Sequence, residues 1–228
     1  MSIEKLSDLV GVKFKNDELL KQAVTHRSYL NENRSYKLDH NERLEFLGDA
    51  VLELVVTEYL YNNFKNPEGE LTAWRASLVN GEMLASIAKE IGVGDFLLMS
   101  KGESKDTGRA RQYLLANAIE AIIGAIYLDQ GYEPVKKFIL KNVVVHLEEI
   151  LENKSYLDSK SYFQEKAQEN MKITPSYKVL KEWGPDHDRH FVMGVFLDDE
   201  LVAEGEGTSK QEAQREAAKN GLEVKNWL

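Results

Sequence analysis

HNERLEFLGDAVL, His40 to Leu52, sets Glu42, Glu45 and Asp49 along one stripe of an otherwise apolar helical run. Gaps of three and four residues stack side chains one above another on a helix surface. Beside Leu44, Leu47, Val51 and Leu52 these carboxylates belong at the edge of a core, an arrangement that suits a hard cation. A second run, YLLANAIEAIIGAIYLD from Tyr113 to Asp129, is almost wholly apolar but carries Asn117 and Glu120 three residues apart. Polar groups hold such places when they are paired, hydrogen-bonded or bound to metal. If the two helices face each other, Glu45, Asp49, Asn117 and Glu120 form an all-oxygen set. That set suits Mg2+, or Mn2+ in its place, and not structural zinc. A divalent ion held this way serves phosphodiester hydrolysis. Carboxylates three or four apart are also common on ordinary solvated helix faces. The polar pair inside the second apolar run is what argues against that plainer reading.

ERLEFLGD at Glu42 to Asp49 resembles the signature of the bacterial ribonuclease III enzymes, which cut double-stranded RNA. The resemblance extends to VTHRSY (Val24 to Tyr29), PEGELTAWRASLVN (Pro67 to Asn80), SKGE (Ser100 to Glu103) and the late helix, and so covers nearly the whole chain. It implies that Glu45, Asp49 and Glu120 are the metal-centred carboxylates, with Asp49 and Glu120 catalytic. Glu42 and Glu70 are implied as auxiliary acidic groups. The family pattern has aspartate three residues before Glu120, where this sequence has Asn117. An amide keeps the carboxylate's shape but replaces half of its acceptor surface with a donor. Impaired cleavage with RNA binding retained is therefore expected. Two origins compete for Asn117, a deliberate substitution that traps uncut RNA and a natural loss of activity; the intact neighbouring motifs favour the first.

The chain has 228 residues, enough for one large or two modest domains, and no cysteine, which excludes disulfides and thiolate-bound zinc. No apolar run reaches transmembrane length, and MSIEKLSDLVGVKF lacks the order of a signal peptide, so a cytoplasmic protein with no membrane partner is expected. Charge points away from nucleic acid: 29 basic against 38 acidic residues give −9. Asp158 to Leu228 is no exception, with 10 basic and 14 acidic residues. RNA binding must then rest on local clusters, duplex shape and bound Mg2+, and must weaken with salt.

Apolar spacings of three and four run from about Lys5 to Ile150 with no convincing strand, which predicts an all-helical domain over residues 1–150. Its breaks fall at NENRSYKLD, KNPEGE and SKGESKDTGRA. LTAWRASLVNGEMLASIAKEIG and PVKKFILKNVVVHLEEIL each read as one helix. A polar linker is placed at 151–157, with Asp158 or Ser159 capping a new helix. Over 158–228 the period changes: DSKSYFQEKAQEN is followed by three β-like runs, PSYKVLKEWG, RHFVMGVFLDD and ELVAEGEG, and then by the helix SKQEAQREAAKNGLEV. The fold class is thus α + β multidomain, a helical endonuclease domain followed by a small α-β-β-β-α domain that resembles the double-stranded-RNA-binding fold.

A-form RNA hides its base edges, so proteins read its phosphates and 2′-hydroxyls. By resemblance the contacts are Gln164, Glu165 and Gln168 on the first helix, His187 in the GPDH loop, and Ser209 with Lys210 at the start of the last helix. Gln211 stands where the family usually has a second basic residue. Trp183, Phe191 and Phe196 are assigned to the core. A duplex has two antiparallel strands, so a two-fold homodimer would supply two sites, and Phe46 is assigned to its interface. The resemblance further implies staggered cuts with 5′-phosphate and 3′-hydroxyl ends in ribosomal and messenger RNA precursors. The competing class is a duplex-RNA-binding protein that does not cut.

Overall fold

The structure, a computed structural model, describes residues 2–105, 107–154, 156, 158–185 and 189–227. It divides into two compact units, Met1–Tyr156 and Leu157–Leu228. In the first the helices are α1 (Ile3–Val10), α2 (Asp17–Ala23), α3 (Arg27–Glu32), α4 (Glu42–Asn63), α5 (Glu68–Val79), α6 (Gly81–Ile91), α7 (Gly108–Gln130), α8 (Tyr132–Asn142) and α9 (Leu147–Glu152). Among the described residues of this unit the nearest approach to a sheet is one bridge, Thr25 to Leu98.

The long α4 and α7 pack on each other and carry the two stretches that opened the sequence analysis. α7 is buried along most of its length: Ile119, Ile122, Ile123 and Ile126 have no exposed surface. Burying each such side chain stabilises the fold by about 1.5–3 kcal/mol. Two glycines set how closely the helices approach. A Cβ on Gly48 would lie 1.7 Å from the backbone oxygen of Glu120, and one on Gly124 would lie 2.2 Å from that of Leu44. The two backbones are therefore in direct contact, and the polar positions beside these glycines are drawn to one another.

Three sequence expectations change here. The run from Leu71 to Gly92 is not one helix, because Asn80 takes an extended conformation (φ −71°, ψ 157°) and its side chain accepts the N–H of Met83, capping α6. The run from Pro134 to Ile150 likewise divides, with a short 3-10 turn at Val144–His146 between α8 and α9. Valines 143 to 145 are β-branched and so resist a continuous α-helix. Leu151 and Tyr156, assigned to the linker, instead pack on the helical core, so the first unit extends beyond residue 150.

The second unit consists of α10 (Ser159–Met171), β1 (Ser176–Trp183), β2 (His190–Leu197), β3 (Glu200–Gly207) and α11 (Lys210–Val224). Its sheet is antiparallel in the order β1-β2-β3. Phe191, Met193, Val195 and Leu197 alternate onto the buried face, where they meet Phe163 of α10 and Ala213, Ala217 and Leu222 of α11. Gly205 has no room for a side chain, since its Cβ would lie 2.1 Å from the Ala217 nitrogen. Asp198 turns the β2–β3 hairpin at φ 51°. Phe191 is core as expected, whereas Trp183 is 45% exposed and stacks on His190. Phe196 is half-buried, under the ammonium of Lys178.

Candidate active site

Glu42, Glu45 and Asp49 stand on the first turns of α4, and Asn117 and Glu120 face them from α7. The segment ahead of α4 is fixed by buried polar groups. Asn41 donates its amide to the Ala23 carbonyl (3.2 Å), and its backbone N–H bonds the Thr25 carbonyl (2.9 Å). Thr25, fully buried, donates its hydroxyl to the Lys21 carbonyl. Asn41 thus starts α4 without a side-chain cap, its amide being used to tie the end of α2 to the helix while its backbone N–H holds Thr25 of VTHRSY.

The carboxylates act on one another. Glu120, half-buried, has its pKa pushed up to about 7, first by burial and then by the charges of Asp49 and Glu45. Burial and the Glu42 charge raise Glu45, against a hydrogen bond from Asn117 that lowers it. Asp49 is raised by burial and by Glu53. The Asn117 amide therefore steadies the charged form of Glu45, which a fourth carboxylate at this position would oppose.

Among the described residues no lysine or arginine pairs with Glu45, Asp49 or Glu120. Oxygen donors that repel one another with no cation beside them have the chemistry of a hard-metal site. Yet no three acidic or histidine side chains among the described residues stand close enough to chelate an ion as placed. A metal would have to draw the exposed Asp49 in toward Glu45 and Glu120. Glu42 is held differently, with Arg27 Nη1 at 3.4 Å and His40 Nδ1 at 3.8 Å. Glu70 is not brought to this set. It is exposed in the first turn of α5, accepts from Asn66 at 2.7 Å, and is not among the charges acting on Glu45, Asp49 or Glu120.

Burial and the repulsion together have a measurable sign. Glu120 titrates near 4.5 when unfolded and about 7 when folded, so the native state holds the proton more tightly. Its stabilising contribution is complete below about pH 4.5 and is lost as pH rises through about 7. Allowing for its partly exposed edge, the loss is on the order of 2 kcal/mol. Urea unfolding of the metal-free protein is expected to show this fall between pH 5 and 8, and Glu120→Gln to flatten it. An unchanged slope in that variant would show that Glu120 is not the responsible group.

Residues 16–147 match the family described as Ribonuclease-III-like, and residues 159–225 match the double-stranded RNA binding motif. The chain belongs to the ribonuclease III family. It is 44% identical over 224 residues to "Ribonuclease 3" of Bdellovibrio bacteriovorus, which covers 97% of this chain and 95% of that protein. Against "Ribonuclease 3" of Oceanobacillus iheyensis it is 43% identical over 227 residues, 99% of either chain. A solved nuclease domain of ribonuclease III from Campylobacter jejuni shares 46% identity at a TM-score of 0.57, covering 62% of this chain and 96% of that one. The description of that structure concerns flexibility in a region involved in dimer formation.

In the second unit of this ribonuclease III chain, Gln164, Glu165 and Gln168 are exposed on one face of α10 and line a shallow groove with Ser161 and Glu169. Ser209 is the N-cap of α11, its hydroxyl accepting the Glu212 N–H at 3.2 Å. Lys210 is exposed on the first turn, its ammonium 5.6 Å from the Phe191 ring centre. His187 lies outside the described residues. Phe46 is 82% exposed, which excludes a core role within one chain.

Sequence reading missed the Gly48 and Gly124 contact and the part played by Arg27. The glycine of LGD and that of IIGAI were available as signals, since a glycine inside a helix costs stability and needs a packing reason.

Proposed function

We propose that this chain is a divalent-metal-dependent endoribonuclease that cuts double-stranded RNA, leaving 5′-phosphate and 3′-hydroxyl ends on structured ribosomal and messenger RNA precursors. The observation that carries this reading is the acidic centre between α4 and α7, in which Glu45 and Asp49 face Asn117 and Glu120 and, among the described residues, no lysine or arginine pairs with Glu45, Asp49 or Glu120. Glu45, Asp49, Glu120 and the oxygen of Asn117 would hold Mg2+, or Mn2+ in its place. Bound there, the ion would supply Lewis acidity toward the phosphodiester and offset its charge. Asp49 and Glu120 are assigned the proton handling at the reacting oxygens, and Asn117 partly offsets the rise in the Glu45 pKa. Glu42 is auxiliary and acts through its charge on Glu45. Glu70, remote within one chain, has no role in a centre built from that chain alone.

The first unit is assigned the cleavage and residues 158–228 the grip on RNA. Gln164, Glu165 and Gln168 would meet one minor groove, His187 another, and the N–H groups at the start of α11 with Lys210 a phosphate. A homodimer is supported by an exposed stripe on α4: Phe46, Leu54 and Tyr61 are 82%, 57% and 73% exposed. At its far end Leu60, Tyr61, Phe64 and Leu71 line a cavity of about 600 Å³. An antiparallel pairing of two copies of α4 would set Phe46 opposite that cavity. Among the described residues no helix is long and apolar enough to cross a membrane. A cytoplasmic location is proposed from the assigned work on structured transcripts.

Because Asn117 leaves the centre one carboxylate short of the family pattern, cleavage is expected to be weak. Asn117→Asp is expected to raise it about 10- to 100-fold. The experiment is cleavage of a long duplex RNA in Mg2+ by the two proteins at equal concentration. Cleavage by the Asp form carries the reading. Duplex binding with no cleavage by either would make the protein a non-cutting RNA binder, and neither binding nor cleavage would end the RNA reading.

A further inference from the structure

VTHRSY and SKGE, which the acidic centre does not absorb, are joined in the structure. The backbone N–H of His26 bonds the Leu98 carbonyl and that of Leu98 bonds the Val24 carbonyl, both at 2.8 Å. Glu103 then receives the hydroxyl of Ser28 and lies 2.7 Å from Nδ1 of His26. Ser28 Oγ also accepts the N–H of Ser100 at 3.0 Å. Residues 26 and 28 are thus clamped to the loop that leads into α7. Arg27, between them, has its side chain 68% exposed and directed to Glu42 of the acidic centre.

We propose that Arg27, aimed by the His26–Ser28–Glu103 clamp, is the cation that takes an RNA phosphate beside the cleavage centre. This rests on duplex RNA being the substrate. Among the described residues no other arginine or lysine pairs with an acidic residue of the centre, and the chain carries −9 overall. The Glu42 contact is single and long, 3.4 Å, between side chains 68% and 44% exposed. Such pairs are worth at most about 1 kcal/mol, so exchanging Glu42 for a phosphate costs little. A guanidinium grips phosphate through two parallel hydrogen bonds, which a carboxylate approached at one oxygen does not use. The clamp fixes the backbone on either side of Arg27, so the backbone there loses little further freedom when RNA arrives.

The test is binding of a defined RNA duplex by the full chain in EDTA, where nothing is cut, over about 50–300 mM salt. Arg27→Ala is expected to weaken binding about tenfold and to reduce the slope of log K against log salt by about one per chain bound. Arg27→Lys is expected to keep the slope and recover part of the affinity. Arg27→Gln repeats the loss of charge should the alanine form fold poorly, as thermal unfolding would reveal. Ser28→Ala, which loosens the clamp but keeps the charge, is expected to lower affinity with the slope retained. Unchanged slope and affinity in Arg27→Ala and Arg27→Gln would overturn the proposal and leave Arg27 as a neutraliser of Glu42. If the unaltered chain binds no duplex, the functional reading fails with it, an outcome distinct from failure in the variants alone.

Discussion

Glu120→Gln is expected to lower cleavage of duplex RNA by about a thousandfold or more, measured in the Asn117→Asp background, whose starting rate is expected to be the higher. Glu120 is the member of the centre that burial and its neighbours perturb most, its pKa pushed up to about 7. A group poised near neutrality can both take and give a proton at working pH, which an amide cannot. Glutamine has nearly the same volume and stands in a half-buried position, so folding is retained and even improves above pH 7, where the carboxylate would be charged. Duplex affinity is expected to hold, since most of it comes from phosphate contacts elsewhere. Single-turnover cleavage and a binding titration on the same protein check the two halves. Near-normal cleavage by Glu120→Gln would remove Glu120 from the chemistry.

Gly48→Ala is expected to damage stability and cleavage together. The added methyl would sit 1.7 Å from the Glu120 oxygen, 2.6 Å from its carbonyl carbon and 2.8 Å from the Gly124 nitrogen, all backbone atoms of α7. Neither helix can yield by a side-chain rotation, so α4 and α7 must separate. A separation of even 1 Å weakens packing along their contact and costs about 3 kcal/mol or more. It also moves Glu45 and Asp49 away from Asn117 and Glu120, and misplacement by about 1 Å can cost about a hundredfold in rate. Alanine is the better helix former, so a propensity argument alone predicts stabilisation of about 1 kcal/mol. Urea unfolding of Gly48→Ala decides between these opposite signs, and a more stable protein with full cleavage would refute the contact.

Most of the architecture was legible because its elements have clear periods. α4 and α7 show the helical repeat, β2 alternates Phe191, Met193, Val195 and Leu197 onto one face, and the order of α10, three strands and α11 could be read directly. The break at Asn80 was harder, because an Asn-Gly pair within helical spacing reads as a weak helix until the asparagine is seen to cap the next one. Trp183 was misplaced because aromatic character alone does not say which face of a strand is covered. The exposed Phe46 has the same lesson: helical spacing puts it beside Glu45 but does not say what lies against it.

Most of the elements, the family signature and the residue types of the acidic centre were set by the sequence, because these depend on spacing along one chain and on side-chain chemistry. Tertiary structure alone decided how close the centre's parts come. The Gly48 and Gly124 contact brings two backbones together, burial and neighbouring charge lift Glu120 to about 7, and Glu70 stays with Asn66. It also decided that Ser28 and Glu103, far apart in sequence, are bonded, and that Arg27 reaches Glu42. Such facts depend on distances between segments, and Coulomb energy, desolvation and steric contact are set by distances in space, which local periodicity does not encode.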